Sequence, residues 1–270
     1  MALTGLGITY VHPEHGEREV QLSDYTRSKL ELVYASDQLR AALRKKGGLR
    51  AQGHGDALKW LRGMSRGGWV LGCSGFATVM PNDTYQLDRV ILAEIYSYLK
   101  QINALPAFTS DGGTGAGALQ ANADVADRLG VPTLGCTPMS ALPKQAVGAR
   151  RRTIIGGATY EDREAIVGRL ADLLLCIDGK DGTLREAEAA AAQGSIVMFV
   201  ALRTYDGMPT YTRVNMPQLR LAASQKRIVV WSPESSEDLI TAFARALRMR
   251  EVKGSTLRER LPKIEEAIFA

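Results

Sequence analysis

Three cysteines in 270 residues, at positions 73, 136 and 176, make no even framework, so disulfides are not expected to hold this chain together. They read instead as small buried hydrophobes near strand ends. The longest apolar runs fall far short of the roughly 18 residues that a membrane span requires, and no transmembrane helix is expected. The start, MALTGLGITYVHPEHGE, has neither the basic head nor the apolar stretch of a secretory leader, which points to a reducing cytoplasm. Aromatic residues are sparse, at 6%, and are not interleaved with basic ones, so the net charge of +5 does not make a nucleic-acid binder. With the cations spread along the chain, apart from the run 150–152, an anionic small molecule is the expected partner. Histidine is scarce too. His12 and His15, in HPEH, have no third ligand in view, so a solvated loop is favoured over a metal site. No internal repeat and no low-complexity segment is present.

What is present is an alternation of strands and helices from Trp69 onward. The apolar stretches WVLGC, PAFTS, VPTLGC, TIIGG, LLLCI, IVMFVAL and RIVVW alternate with helical patterns over 85–100, 116–129, 161–170, the alanine-rich EAEAAAAQ and 235–248. The arginine run sits in the loop before TIIGG. Such alternation implies right-handed crossovers and a mostly parallel sheet of six or seven strands covered on both faces, a Rossmann-like three-layer α/β sandwich. Residues 1–66 differ and read as a helical extension, with an amphipathic helix over 22–45 and a short helical piece around 57–62. Residues 67–250 form the sandwich, and 251–270 a C-terminal helix.

Three glycine-bearing turns fall at the carboxyl ends of these strands, where open α/β sheets bind their ligands. They are Gly72-Cys73-Ser74-Gly75, the stretch DGGTGAG at 111–117, and DGKDGT at 178–183. After the last of them Thr183 is placed to cap a helix, so that backbone N–H groups and the positive end of a helix dipole face the crevice. Glycine in a tight strand-to-helix turn is also demanded by backbone geometry alone. GTGAGA at 113–118 fits the dinucleotide fingerprint, but no acid ends the next strand to hold a ribose hydroxyl, which argues against NAD. Lys180 is followed by Asp181 rather than serine or threonine, so a nucleoside triphosphatase loop fails as well. Together the turns point to a nucleotide or sugar phosphate.

The stretch DGGTGAGALQANADVADRLGVPTLGCTP resembles the GGxxGLMG…A…GGxVxGVxP segment of the Lonely Guy family of cytokinin-activating phosphoribohydrolases, once labelled lysine decarboxylases and part of the wider SLOG superfamily. YEDREAIVGRLADLLLCIDGKDGTLREAE aligns without a gap to that family's ERKxxMxxxADAFIALPGGxGTxxEL. The resemblance covers residues 69–248. It implies a Rossmann-like homodimer or higher homo-oligomer that hydrolyses a nucleoside 5′-monophosphate to free base and ribose 5-phosphate, with no cofactor and no metal. It implies Arg163 and Glu186 as the catalytic pair. Gly182 and Thr183, with Gly179 in the same turn, would hold the 5′-phosphate, Gly112, Gly113, Thr114 and Gly115 would form the first glycine loop, and Ser74 takes the place of the serine in the early turn. Two positions depart from the family: its Pro-Gly-Gly is Asp178-Gly179-Lys180, and the lysine after its arginine is Glu164. A non-catalytic nucleotide sensor of the same fold is the alternative. No lysine has a recognisable Schiff-base context, which removes the decarboxylation that the old label suggests.

The residue types suit the chemistry apart from any family. Cleaving an N-glycosidic bond builds positive charge on the ribose, which a carboxylate stabilises and an arginine orients. Two structural roles stand beside the catalytic ones. Thr183-Leu-Arg-Glu186 also spells a capping box, and Arg163 also fits a solvated helix face. Arg150, Arg151 and Arg152 fit an exposed basic loop as well as a clasp over a phosphate.

Overall fold

A computed structural model describes residues 7–12, 16–21, 60–61, 63–64, 68–76, 82–138, 151–155, 160–202, 216–253 and 256–269. The first two segments are strands β1 (Gly7–His12) and β2 (Gly16–Gln21), paired antiparallel from Gly7 opposite Gln21 to His12 opposite Gly16. This hairpin is not foreseen by the sequence reading, and the helix expected over 22–45 lies outside the described residues, as do His15 and Arg150.

The main sheet contains β3 (Val70–Gly75), β4 (Phe108–Asp111), β5 (Thr133–Thr137), β6 (Arg151–Ile155), β7 (Leu173–Ile177), β8 (Ile196–Val200) and β9 (Ile228–Trp231), in the spatial order β6-β5-β4-β3-β7-β8-β9. Every pairing in it is parallel. LLLCI is buried along its whole length, which is why its pattern is continuously apolar rather than alternating. The loop expectation for the arginines is corrected here: Arg151 and Arg152 open β6, so the strand begins two residues before TIIGG.

Two layers cover the sheet. One consists of α1 (Asn82–Gln101), α2 (Gly117–Arg128) and α6 (Leu239–Lys253), whose Leu92, Ile95, Val125 and Phe243 pack on Leu71, Leu173, Leu175 and Met198. The other consists of α3 (Tyr160–Leu170), α4 (Asp181–Ala192), α5 (Pro217–Ser224) and α7 (Leu257–Phe269), packed in two clusters. Leu61 joins the cluster of α3 and α7, and Trp60 meets Phe108 edge to face with centroids 5.1 Å apart. Helix α5 has no counterpart in the sequence reading. Its eight residues start at a proline, whose fixed φ suits the first turn, and it buries only Leu219 and Ala222.

This order positions the site. The chain runs outward from β3 through β4, β5 and β6, then returns to the other side of β3 for β7, β8 and β9. The reversal leaves a crevice beyond the carboxyl ends of β3 and β7, the place where sheets of this kind bind ligands. Two of the glycine turns leave from β4 and β7, the two neighbours of β3; the first, Gly72–Gly75, is no turn but the paired carboxyl half of β3 itself, because its glycines let neighbouring side chains and backbone close on the strand. No described helix is long and apolar enough to cross a membrane.

Candidate active site at the strand crossover

The turn after β7 is held by its own backbone geometry. After β7, Asp178 and Gly179 both take positive φ, 51° and 100°. Aspartate tolerates this conformation better than most residues, and its carboxylate is used: Oδ1 accepts from the Leu202 N–H at 2.7 Å. Replacing the family's proline by Asp178 thus ties the turn to the exit of β8. Gly179 is needed for space as well, since a Cβ there would lie 2.1 Å from Thr183 Oγ1.

Helix α4 begins at Asp181, with Lys180 as an extended N-cap that makes no side-chain cap hydrogen bond. Thr183 is therefore the third helical residue and not the cap. The capping box is out of register, and Glu186 stands in the second turn, on the buried face. Removing that structural role leaves its carboxylate for another use.

Glu186 is 3% exposed and meets Arg163 Nη1 at 3.3 Å. The solvated-face expectation for Arg163 fails, because it is 6% exposed and held on three sides. Nη1 also donates to the Gly112 carbonyl oxygen, and the guanidinium lies 5.2 Å from the centre of the Tyr160 ring. Gly112 permits this, as a Cβ there would sit 1.7 Å from Nη1. Burial pushes the Glu186 carboxyl above its ordinary range, against the pull of Arg163 and of a hydrogen bond from Ser74, with Glu164 and Asp111 adding to the rise. Ser74, Gly112, Arg163 and Glu186, singled out on three separate stretches of sequence, thus form one constellation.

The remaining positions fall around it. Gly113, at φ 78°, packs against Thr137, whose Cβ would be 2.8 Å from a Cβ at 113. Thr114 is buried and its hydroxyl has no hydrogen-bond partner among the described residues. Gly182 leaves room for Glu164, whose Oε1 would lie 2.9 Å from an added Cβ. Lys180 Nζ stands 5.7 Å from the Phe76 ring centre, across the crevice between the ends of β3 and β7. Gly115 is half-buried.

Two features were not read from the sequence. Asp111, fully buried at the end of β4, accepts from the Gly113 N–H at 2.8 Å, from Asn122 Nδ2 at 3.3 Å and from both terminal nitrogens of Arg151. Arg151 reaches it across β5 because position 135 is glycine, where a Cβ would lie 2.4 Å from Nη2. Arg151 is thereby neither a loop residue nor a phosphate clasp. The clue was in the sequence, an acid opening DGG at a strand's end, but its partner is forty residues away and only the sheet brings them together. The second feature is the ion pair of Glu164 with Arg185.

Helices α3 and α4, which carry the pair, touch backbone to backbone. A Cβ on Gly168 would lie 2.3 Å from the Glu186 carbonyl oxygen and 2.8 Å from the Ala190 nitrogen. Gly168→Ala should therefore destabilise the fold by about 1–3 kcal/mol, the usual cost of overpacking a tight contact, in chemical denaturation. A variant as stable as the parent would show that the helices separate freely.

The cysteines behave as expected. All three are free and buried, and burial pushes their thiols up, Cys136 to about 12. His12 ends β1, and among the described residues no cluster of histidine, cysteine and acids could hold a metal ion.

Residues 105–237 match the SLOG cluster4 family. The matched segment takes in the turn after β4, both helices of the ion pair and the turn after β7, and it supports the SLOG superfamily rather than the Lonely Guy family in particular. No curated protein matches the chain in sequence. Among solved structures, TM1055, a structural-genomics target solved by X-ray crystallography, is 16% identical with a TM-score of 0.45 over 67% of this chain and 98% of its own. Two structures of the molybdenum cofactor carrier protein of Chlamydomonas reinhardtii are 16% and 18% identical, each with a TM-score of 0.47 over 68% of this chain and 98% of theirs.

Proposed function

We propose that the chain is a nucleoside 5′-monophosphate phosphoribohydrolase, releasing free base and ribose 5-phosphate. The observation that carries this is the meeting of Arg163 and Glu186, buried together at the strand crossover, at the two positions that the sequence resemblance implies to be catalytic. Water adds to the anomeric carbon as the bond to the base nitrogen breaks, and the departing base takes up a proton. Positive charge develops on the ribose ring between these events, and the Glu186 carboxylate stabilises it or draws the proton from the water. Arg163, fixed by Gly112, holds that carboxylate in one orientation. The 5′-phosphate would rest on the first turn of α4, whose cap position offers no side chain to those N–H groups, with Gly182 and Thr183 beside it. Thr114 and the glycines at 112, 113 and 115 would line the opposite wall. The same reading takes the chain as a homodimer or higher homo-oligomer in the cytoplasm.

Incubating the purified protein with a panel of nucleoside monophosphates and looking for free base by chromatography tests the activity. Binding without release from any of them would favour the alternative, a nucleotide sensor, which the Asp178-Gly179-Lys180 turn and Glu164 make distinct in charge from the family pattern. Thr183→Val tests the phosphate position. It keeps the side chain's shape against Gly179 and deletes the hydroxyl, so binding of a nucleoside monophosphate should weaken by about 1 kcal/mol, the scale of one hydrogen bond, while the free nucleoside is unaffected. Equal loss for both ligands in calorimetry would place the phosphate elsewhere.

A further inference from the structure

Tyr160 is the first residue of α3 and stands 41% exposed, while Arg163, one turn further on, is buried. Residues three apart on a helix are neighbours, and here the Arg163 guanidinium lies over the tyrosine ring, 5.2 Å from its centre. One exposed aromatic is ordinary on a protein surface. This ring, however, is backed by the same guanidinium that donates to the Gly112 carbonyl oxygen and meets Glu186 at 3.3 Å. Core packing does not account for its place. Among the described residues it joins none of the apolar clusters, and no second aromatic ring packs on it.

The contacts run in a fixed order across the crevice. Thr183 stands in the first turn of α4 and Glu186 one turn along the same helix; Arg163 meets Glu186, and Tyr160 meets Arg163. A nucleoside 5′-monophosphate presents phosphate, ribose and base in the matching order. With the phosphate on α4 and the ribose against Glu186, the base falls at the end of the constellation that Tyr160 occupies. Helix α3 follows β6 in the chain, so this end too lies toward the carboxyl edge of the sheet.

We infer that Tyr160 is the platform on which the nucleobase stacks, with Arg163 holding the ring from its other face. The inference rests on the phosphoribohydrolase reading for where the phosphate and the ribose lie. Every nucleobase has a π-face, so a stack of this kind selects a planar aromatic base as the group carried by the ribose and does not by itself choose among the bases. Pre-positioning adds to it. Because the guanidinium is already held by Gly112 and Glu186, the ring is backed before a ligand arrives, which lowers the ordering cost of the stack.

Calorimetric titration of the full chain tests this with two kinds of ligand. The first are the 5′-monophosphates of carbocyclic adenosine and carbocyclic uridine, whose sugar ring oxygen is replaced by a methylene so that no ribosyl cation forms and the base stays attached. The second is ribose 5-phosphate, which has no base. Tyr160→Ala should weaken the carbocyclic nucleotides by about fivefold or more, the lower end of what one stack of a base on an aromatic ring contributes, and leave ribose 5-phosphate unchanged. Tyr160→Phe should keep both affinities. Should alanine lower the melting temperature by disturbing the start of α3, Tyr160→Leu carries the same comparison, since it keeps apolar bulk without a π-face. Equal loss for both kinds of ligand would mean that the ring serves only to hold Arg163, and overturns the inference. Unchanged nucleotide binding overturns it too, as does a parent chain that binds the nucleotides no better than ribose 5-phosphate. In base release Tyr160→Ala should raise KM and leave kcat nearly as it was, the mark of a contact made equally before and during bond cleavage. A chain that binds nucleotides through Tyr160 and releases no base keeps this inference and loses the hydrolase reading. One that releases base with an unmoved KM in Tyr160→Ala keeps that reading and loses the platform.

Discussion

Glu186→Gln should lower base release by roughly two orders of magnitude or more, the scale expected when one preorganised electrostatic group is lost from an active site. The substitution is close to isosteric. Gln retains an oxygen that accepts from Arg163 and from Ser74, so the pocket keeps its shape while the negative charge facing the ribose disappears. Because α4 starts at Asp181, Glu186 caps nothing, and no helix end is weakened by the change. The same variant carries a pH signature. Burial raises the proton affinity of Glu186 in the folded chain above its ordinary value near 4.5, so folded protein takes up this proton before unfolded protein does. The stabilisation linked to that proton is complete below the ordinary value and is lost as pH rises through the raised one. Relative to Glu186→Gln, the parent should gain melting temperature as pH is lowered from neutrality. A variant that keeps full turnover ends the catalytic role, and a stability difference that does not change with pH ends the electrostatic account of the pocket.

The succession and type of the strands were legible because each is a short apolar run set between helical patterns, with the central runs buried on both faces. LLLCI followed by DGKDGT could be placed at the carboxyl end of a buried strand from those residues alone, while its position at the crossover comes only from the sheet order. Helix α5 was not legible, since eight residues with two buried positions give too little periodicity to stand out. The start of β6 was hidden by its composition: two arginines read as solvated, and one of them is buried by a partner on another strand. The site divides in the same way. The glycines follow from local pattern, whereas Arg163 and Glu186 were marked by the resemblance to the family's motifs. That Glu186 leaves the capping role depends on where α4 begins, a matter of three residues, which is within the usual uncertainty of helix ends. The Arg151 and Arg185 ion pairs link distant segments, and no local pattern marks a charged residue as one that will be neutralised from across the sheet or from a neighbouring helix.

Arg151→Met should destabilise the fold by about 3–5 kcal/mol, the cost of stranding one member of a buried ion pair. Asp111 is 0% exposed, and the Arg151 side chain is 3% exposed. Both guanidinium contacts are lost at once, and among the described residues the Gly113 N–H and Asn122 Nδ2 remain to the carboxylate. Methionine keeps an unbranched side chain and removes the guanidinium that lies over Gly135, so the loss reads charge more than packing. For a domain of this size, each kcal/mol moves the melting temperature by about 2–4 °C, so a fall of roughly ten degrees is expected in calorimetry. Pairing it with Asp111→Asn should recover much of that loss, because the neutral amide still accepts from Gly113 and no longer needs a cation. The turn matters beyond stability. Asp111 fixes Gly113, Gly112 fixes Arg163, and Arg163 orients Glu186, so the single variant should also lower base release. A loss below about 1 kcal/mol, the worth of an exposed bridge, would show that water reaches this pair and that the turn is held by the remaining backbone contacts instead.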